Sequence, residues 1–202
     1  MPTFYLSHSL PQFRNLTLTA LFGALLTLSG CASVIDVTQE EPIQEDSTSR
    51  TTGSFIDDEV IEIKALVNIG KASESLEQSH ISVTSFNGIV LLTGQVATAQ
   101  DRALAGQVTN KVRKVRKLHN ELTVAGPTSA VIRTNDSWLT TKVKSKMLAE
   151  RELQSMRIKI VTENGTVYLL GLVTDDQARR AVDITRQTAG IQKVVKMFEY
   201  VR

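Results

Sequence analysis

The sequence predicts an α+β fold of two tandem units, each with the order αββαβ, in which two helices cover one face of a three-stranded mixed sheet. An internal repeat is the first observation behind this prediction. Residues 87–96 and 164–173 match at an offset of 77, with an Asn-Gly pair, a glycine and a valine in identical places. Such self-similarity indicates duplicated structural units. The second observation is periodicity, because alternating apolar residues flank each Asn-Gly pair and stretches with helical spacing lie on either side.

The first helix and the hairpin of each unit are predicted from local signals. Asp58 and Asp136 are predicted to be the N-caps of the first helices, because short polar side chains accept hydrogen bonds from the N–H groups of a helix start. Residues 80–84 and 157–161 alternate between apolar and polar and are predicted to be the first strands. The Asn-Gly pair that follows each run is the strongest short-range signal for a β-hairpin.

The remaining elements complete each unit. A second helix is predicted over about residues 99–112 and 175–188, because both segments have helical spacing of apolar residues. A third strand is predicted over residues 117–124 and 193–200. Each unit then has about 70 residues, near the lower limit for independent folding, so the two units are expected to pack together.

The first thirty residues are predicted to be a lipoprotein signal peptide. Residues 16–28 form an uncharged apolar run, too short to span a bilayer, which needs about 20 residues, but suited to a secretory signal. The only cysteine, Cys31, follows in the sequence Leu-Ser-Gly-Cys at residues 28–31. This resembles the lipobox of bacterial lipoproteins and implies acylation of Cys31; Ala32 after it implies export to the outer membrane. The alternative is a plain signal peptide with an unmodified cysteine.

Residues 31–54 are predicted to be a flexible acidic tether. The segment is rich in Ser, Thr, Glu and Asp and has too few apolar residues to offset the entropy cost of ordering. The charge changes along the chain, from −4 over residues 31–53 through zero over residues 54–127 to +5 over residues 128–202. The second unit is therefore the natural partner of an anionic surface.

The repeat resembles the BON domain family. The features that carry the resemblance are the Asp-led first helix, the Asn-Gly hairpin, the hydrophobic-Gly-x-Val strand end and the Val-x-x-Val-x-Asn-x-hydrophobic third strand. The first unit departs from the pattern at Lys114, in place of a turn glycine, and the second at Lys196, in place of the asparagine. BON domain 1 is predicted at residues 55–126 and BON domain 2 at residues 127–202. With the lipobox and tether, the whole chain resembles dual-BON outer-membrane lipoproteins of Gram-negative bacteria.

No enzyme, cofactor or metal site is predicted. The sequence contains no GxSxG, P-loop, HExxH or GxGxxG motif, and one cysteine excludes an internal disulfide framework. The adjacent acids Asp175 and Asp176 are predicted to complement the dipole at a helix start. His80 and His119 are predicted on strands, as surface or packing residues. A formal net charge of +2 does not favour nucleic-acid binding.

The first helix of the second unit is the candidate binding surface. Leu139, Val143 and Met147 are spaced by four residues and are predicted to form the core stripe. Trp138 lies about 100° around the helix from Leu139 and shares a neighbouring face with Thr141, Lys142, Ser145 and Leu148, with Lys144 at its edge. A tryptophan beside lysines suits a membrane interface. Packing of Trp138 against the other unit is the alternative.

The resemblance implies that this helix binds anionic phospholipid, phosphatidylglycerol in particular, and it matches at Trp138, Thr141, Lys144 and Leu148. Lys142 and Ser145 lie on the same predicted face and complete the predicted phospholipid-binding set. It also implies a periplasmic role in outer-membrane integrity, with enrichment at the division site. The alternative is a non-enzymatic adaptor that binds an envelope protein, such as the barrel-assembly machinery, through the same helix. A second basic cluster is expected to be the solvated end of a helix, with a partner-binding patch as the alternative; its members are Lys111, Arg113, Lys114, Arg116 and Lys117.

Overall fold

The computed structural model describes residues 51–201, so the predicted signal peptide, Cys31 and the tether up to residue 50 lie outside the described residues. The first domain contains α1 (Thr52–Ala72), α2 (Glu74–Glu77), β1 (His80–Phe86), β2 (Ile89–Val96), α3 (Ala99–Asn110), β3 (Lys117–Asn120) and β4 (Thr123–Val124). The second contains α4 (Ala130–Ala149), a 3₁₀ turn (Ser155–Arg157), β5 (Ile158–Glu163), β6 (Thr166–Val173), α5 (Asp175–Arg186) and β7 (Lys193–Tyr200). The predicted α+β fold of two tandem units is confirmed.

Each domain has a mixed sheet with β2 or β6 in the middle. The hairpin partners β1 and β5 are antiparallel to the middle strand, and β3, β4 and β7 are parallel to it. The predicted third strand of the first domain is broken, so that sheet has four strands instead of three. The Asn120 side-chain oxygen accepts a hydrogen bond from the N–H of Leu122 (3.3 Å), and such local bonding competes with the strand ladder. Lys196 stands at the equivalent place in β7, which is unbroken.

The first helix of each domain begins earlier than predicted, and Asp58 and Asp136 are not N-caps. The N-caps are Thr51 and Ser129, whose side chains each accept a backbone N–H three residues further on. Helix α1 therefore includes the last three residues of the predicted tether. Asp58 and Asp136 lie inside the helices and are 3% and 5% exposed. A carboxylate buried in this way needs hydrogen-bond partners.

These partners are the hairpin turns. The Asp136 carboxylate accepts hydrogen bonds from the backbone N–H groups of Asn164 (2.8 Å) and Gly165 (2.9 Å). Asp58 accepts the two equivalent bonds in the first domain, at 2.7 and 2.9 Å. Asn164 and Gly165 have φ angles of 49° and 73°, and two consecutive positive φ values characterise the tight turn that Asn-Gly favours. In each domain, the aspartate thus fixes the first helix to the hairpin turn.

The middle strands are buried on both faces. On one face, Val90 and Leu92 of β2 pack under the helices of the first domain, as Val167 and Leu169 of β6 do in the second. Because side chains alternate along a strand, the other face of each sheet is also apolar. These two faces form one shared cluster, made of Phe86, Ile89, Leu91, Tyr168, Leu170 and Met197. The sheets therefore pack back to back, and the helices of the two domains lie on opposite outer sides.

Polar bridges surround the shared cluster. They join Gln95 to Glu163 (2.7 Å), Arg116 to Glu199 (2.7 Å) and Lys159 to Glu62 (2.8 Å). Each bridge links one domain to the other. The predicted packing of the two units therefore has an apolar centre and a polar rim.

Candidate functional site

Helix α4 presents a core face and a solvent face. Leu139, Val143 and Met147 are 0% exposed, so the predicted core stripe is confirmed, and Asp136 fixes the helix to the β5–β6 turn. The solvent face is not covered by any element within residues 51–201, and it carries the six candidate side chains.

Trp138 lies on this solvent face with 57% of its surface exposed. The alternative that Trp138 packs between the two domains is therefore wrong. The Lys142 ammonium lies over the indole, with its Nζ 4.5 Å from the ring centroid, which is within the range of a cation–π interaction. Lys142 Nζ also donates to the backbone oxygen of Ala189 at 3.4 Å. The lysine is thereby held beside the ring, so a cation and an exposed aromatic form one unit.

The other candidate residues extend this surface along the helix. Thr141, Lys144 and Ser145 are exposed, and Leu148 is 70% exposed. Trp138 and Leu148 are ten residues apart, about 15 Å along the helix axis. Lys144 and Leu148 border a cleft of about 300 Å³, whose other lining residues are Met147, Ser155, Met156, Ile158 and Ile160. The structure thus places the six residues on one face, with a mostly apolar cleft at its C-terminal end.

Met156 belongs to the same surface and was missed by the sequence analysis. It lies in the 3₁₀ turn after α4 and is 95% exposed, more than any other large apolar residue in the described part of the chain. Single exposed apolar residues are common, and nothing in the sequence around Met156 predicts that the turn returns to the cleft beside Leu148. The only sequence signal is an apolar residue between the polar neighbours Ser155 and Arg157.

The charges on this face are available to a ligand. Neither Lys142 nor Lys144 forms an ion pair with a carboxylate within residues 51–201. The basic cluster of the first domain differs, because Lys114 is paired with Asp57 (2.6 Å) and Arg116 with Glu199. The cluster begins at Lys111, the C-cap of α3, and its Arg116 joins the two domains through Glu199.

The acids at the start of α5 have a structural role. Asp175 and Asp176 occupy the first turn, as predicted. A hydrogen bond from Arg180 lowers the pKa of Asp176 below its usual value.

His119 lies on β3, where burial and then Lys117 lower its pKa. No group of His, Cys, Asp and Glu side chains within residues 51–201 is arranged to hold a metal ion. Across the same residues, no helix combines the length and the hydropathy that a transmembrane segment requires.

Residues 57–126 and residues 135–202 each match the BON domain family. The chain is 37% identical over 183 residues to the outer membrane lipoprotein DolP of Haemophilus influenzae, with 91% of this chain and 95% of that protein covered.

Two further relatives match about three quarters of the chain. The 21 kDa hemolysin of Actinobacillus pleuropneumoniae is 35% identical over 153 residues, covering 76% of this chain and 79% of that protein. The osmotically-inducible protein Y of Escherichia coli is 30% identical over 156 residues, covering 74% and 75%. None of these three names describes an enzyme.

Proposed function

The chain belongs to the BON domain family, and we propose that it is a non-enzymatic outer-membrane lipoprotein whose second BON domain binds anionic phospholipid. The lipobox at residues 28–31 and the similarity to an outer membrane lipoprotein support anchoring of acylated Cys31 in the outer membrane. The folded domains then lie on the periplasmic side. We further propose that its role is to support membrane integrity, with enrichment at the division site, as the resemblance to dual-BON outer-membrane lipoproteins implies.

One observation carries the lipid proposal: an exposed indole has one lysine over its ring and a second lysine, Lys144, on the same helix that forms no ion pair within residues 51–201. An indole is apolar over most of its surface and has one polar N–H, which suits the headgroup region of a bilayer. Lys142 and Lys144 would each gain about 1 kcal/mol near an anionic leaflet. Leu148 and Met156 add apolar surface on either side of the cleft, so the lipid contact extends beyond the six predicted residues.

Trp138 itself can report lipid binding, because it is the chain's only tryptophan. Vesicles of phosphatidylglycerol should shift its emission to shorter wavelength as the indole leaves water, and vesicles of phosphatidylcholine should have little effect. The shift should weaken as salt is added, because exposed charges are screened within about 10 Å at 0.1 M ionic strength. An emission spectrum that phosphatidylglycerol does not change would contradict the proposal.

Two variants and a matched control separate the contributions in vesicle co-sedimentation. Trp138→Glu should abolish binding, and Lys144→Gln should weaken it about fivefold, since it removes about 1 kcal/mol of attraction. Val124→Glu is the control, because Val124 is exposed to a similar extent, 51%, on the first domain. Equal losses in Trp138→Glu and Val124→Glu would show that helix α4 is not the lipid contact. If α4 instead binds an envelope protein, all three variants should co-sediment with the vesicles to the same extent as the parent chain.

A further inference from the structure

Helix α1 has an apolar face that the first domain does not use. Four aliphatic side chains on it are 41% to 62% exposed: Ile56, Val60, Ile63 and Val67. They are separated by four, three and four residues, which is the spacing of the seam positions in a coiled coil. The residues that fix α1 to its own domain lie on the opposite side of the helix; they are Asp58, Ile61, Ala65 and Ile69. The seam formed by Ile56, Val60, Ile63 and Val67 therefore points away from the domain core.

The second domain shows that its fold does not require this seam. The equivalent positions of α4 lie 78 residues further on and hold Thr134, Trp138, Thr141 and Ser145. Both helices pack on the same kind of sheet and are fixed by the same aspartate, yet only α1 has aliphatic residues at all four of these positions. A row of exposed aliphatic residues on a soluble surface indicates a contact with another molecule.

We propose that this seam binds a second copy of this chain, with the two α1 helices parallel. Glu59 and Lys64 flank the seam on its two sides, one residue before Val60 and one residue after Ile63. In a parallel pair, the residue that flanks the seam on one side lies opposite the partner's residue on the other side that is five positions further along the chain. Glu59 then faces the partner's Lys64, and the two-fold symmetry of such a dimer produces the pair twice. Neither residue has an ion-pair partner within residues 51–201.

The same charges disfavour the antiparallel alternative. Antiparallel helices bring identical flanks together, so Glu59 would lie on the same side as the partner's Glu59, and Lys64 on the same side as the partner's Lys64. Parallel helices also begin at the same end, so the segments that precede Thr52 in the two copies leave the dimer on one side. That direction suits two chains anchored in one membrane, a point that rests on the proposed lipid anchor.

A seam of two heptads suffices because α1 is already folded. Isolated helices shorter than about 12–15 residues are marginal in water because nucleation is costly. Helix α1 has 21 residues and is held by its N-cap and by the core of its domain, so dimerisation need not form the helix. Only association and the ordering of side chains at the seam oppose it.

Disulfide cross-linking of the full-length chain in cells tests both the contact and its direction. Ile56→Cys and Val67→Cys place a thiol at the two ends of the seam, about 16 Å apart along the axis. In a parallel dimer, each variant should cross-link to itself under mild oxidation, since like residues are opposite one another. Asn68→Cys is the matched control, because Asn68 is exposed next to Val67 but off the seam. The parent chain, with Cys31 alone, gives the baseline.

The charge pair gives a second measurement that does not depend on overall stability. In the Val67→Cys chain, Glu59→Lys should lower the cross-linked fraction several-fold, and adding Lys64→Glu should restore it. Three results would overturn the proposal. The first is a cross-linking yield for Ile56→Cys and Val67→Cys that is no higher than that of Asn68→Cys, and the second is cross-linking only in mixtures of the Ile56→Cys and Val67→Cys chains. The third is a cross-linking yield that the charge changes do not alter. The second result would identify an antiparallel pair. Loss of lipid binding in Trp138→Glu leaves these predictions unchanged, so the two proposals fail separately.

Discussion

Removal of the Asp136 carboxylate should destabilise the second domain far more than removal of an exposed acid. In Asp136→Ala, the N–H groups of Asn164 and Gly165 lose their acceptor. Hydrogen bonds to a charged group contribute about 1.5–3 kcal/mol each. Asn164 is exposed and its N–H can bind water, whereas Gly165 is buried and its N–H cannot. The expected cost is therefore near the lower end for two bonds, about 3 kcal/mol.

Urea unfolding of residues 32–202, followed by the emission of Trp138, measures this cost on the helix concerned. A loss of about 3 kcal/mol also corresponds to a fall in Tm of roughly 6–12 °C for a chain of this size. Asp136→Asn keeps one acceptor oxygen and should lose about half as much. Asp175→Ala is the control, because Asp175 is exposed at the start of α5 and should cost under about 1 kcal/mol. A loss in Asp136→Ala no larger than that of the control would refute the assigned role.

The remaining predictions concern the sheets and their shared core. Leu170→Ala should cost about 2–5 kcal/mol and lower hydrogen-exchange protection in both domains, because Leu170 lies in the shared cluster; a loss confined to the second domain would contradict this coupling. Burial raises the pKa of Tyr168 to about 12, so its neutral form stabilises the fold below pH 10, and this contribution is lost as the pH rises towards 12. Urea titrations from pH 9 to 11.5 should show that loss in the parent and a smaller one in Tyr168→Phe. Gly94→Ala should destabilise by more than 1 kcal/mol, because Gly94 has a φ of 119° and an added Cβ would collide with the backbone oxygen of His80. Gly126→Ala, with nothing within 4 Å, should be nearly neutral, and equal effects of the two changes would contradict this account.

The parts of the structure that depend on local periodicity could be predicted from the sequence. Residues at spacing four on a helix share a face whatever the rest of the chain does, so Leu139, Val143 and Met147 identified the buried side of α4. The position of Trp138 on a neighbouring face followed from the same geometry. Whether that face meets solvent or the other domain depends on how two sheets pack, and the repeat alone left both possibilities open.

Long-range partners could not be predicted. Asp58 and Asp136 have the residue type of an N-cap, but Thr51 and Ser129 are equally suitable caps, and local preference does not choose among them. The choice is made by hairpin turns 28 or 29 residues away in sequence, whose N–H groups need an acceptor. Met156 was missed for a related reason, since its place beside Leu148 depends on the path of the chain after α4. The periodicity of a sequence defines the faces of a helix or strand, whereas contacts between residues far apart in sequence decide what each face packs against.

The duplication explains how one small chain can carry two different surfaces. Both domains keep the aspartate that fixes the helix to the hairpin, so their helices are held in equivalent positions. Because the sheets pack back to back through the shared cluster, the outer faces of α1 and α4 point to opposite sides. A ligand on one face therefore does not block the other. Substitution at exposed positions such as Val60 and Trp138 changes the chemistry of each outer face without disturbing the core that orients both.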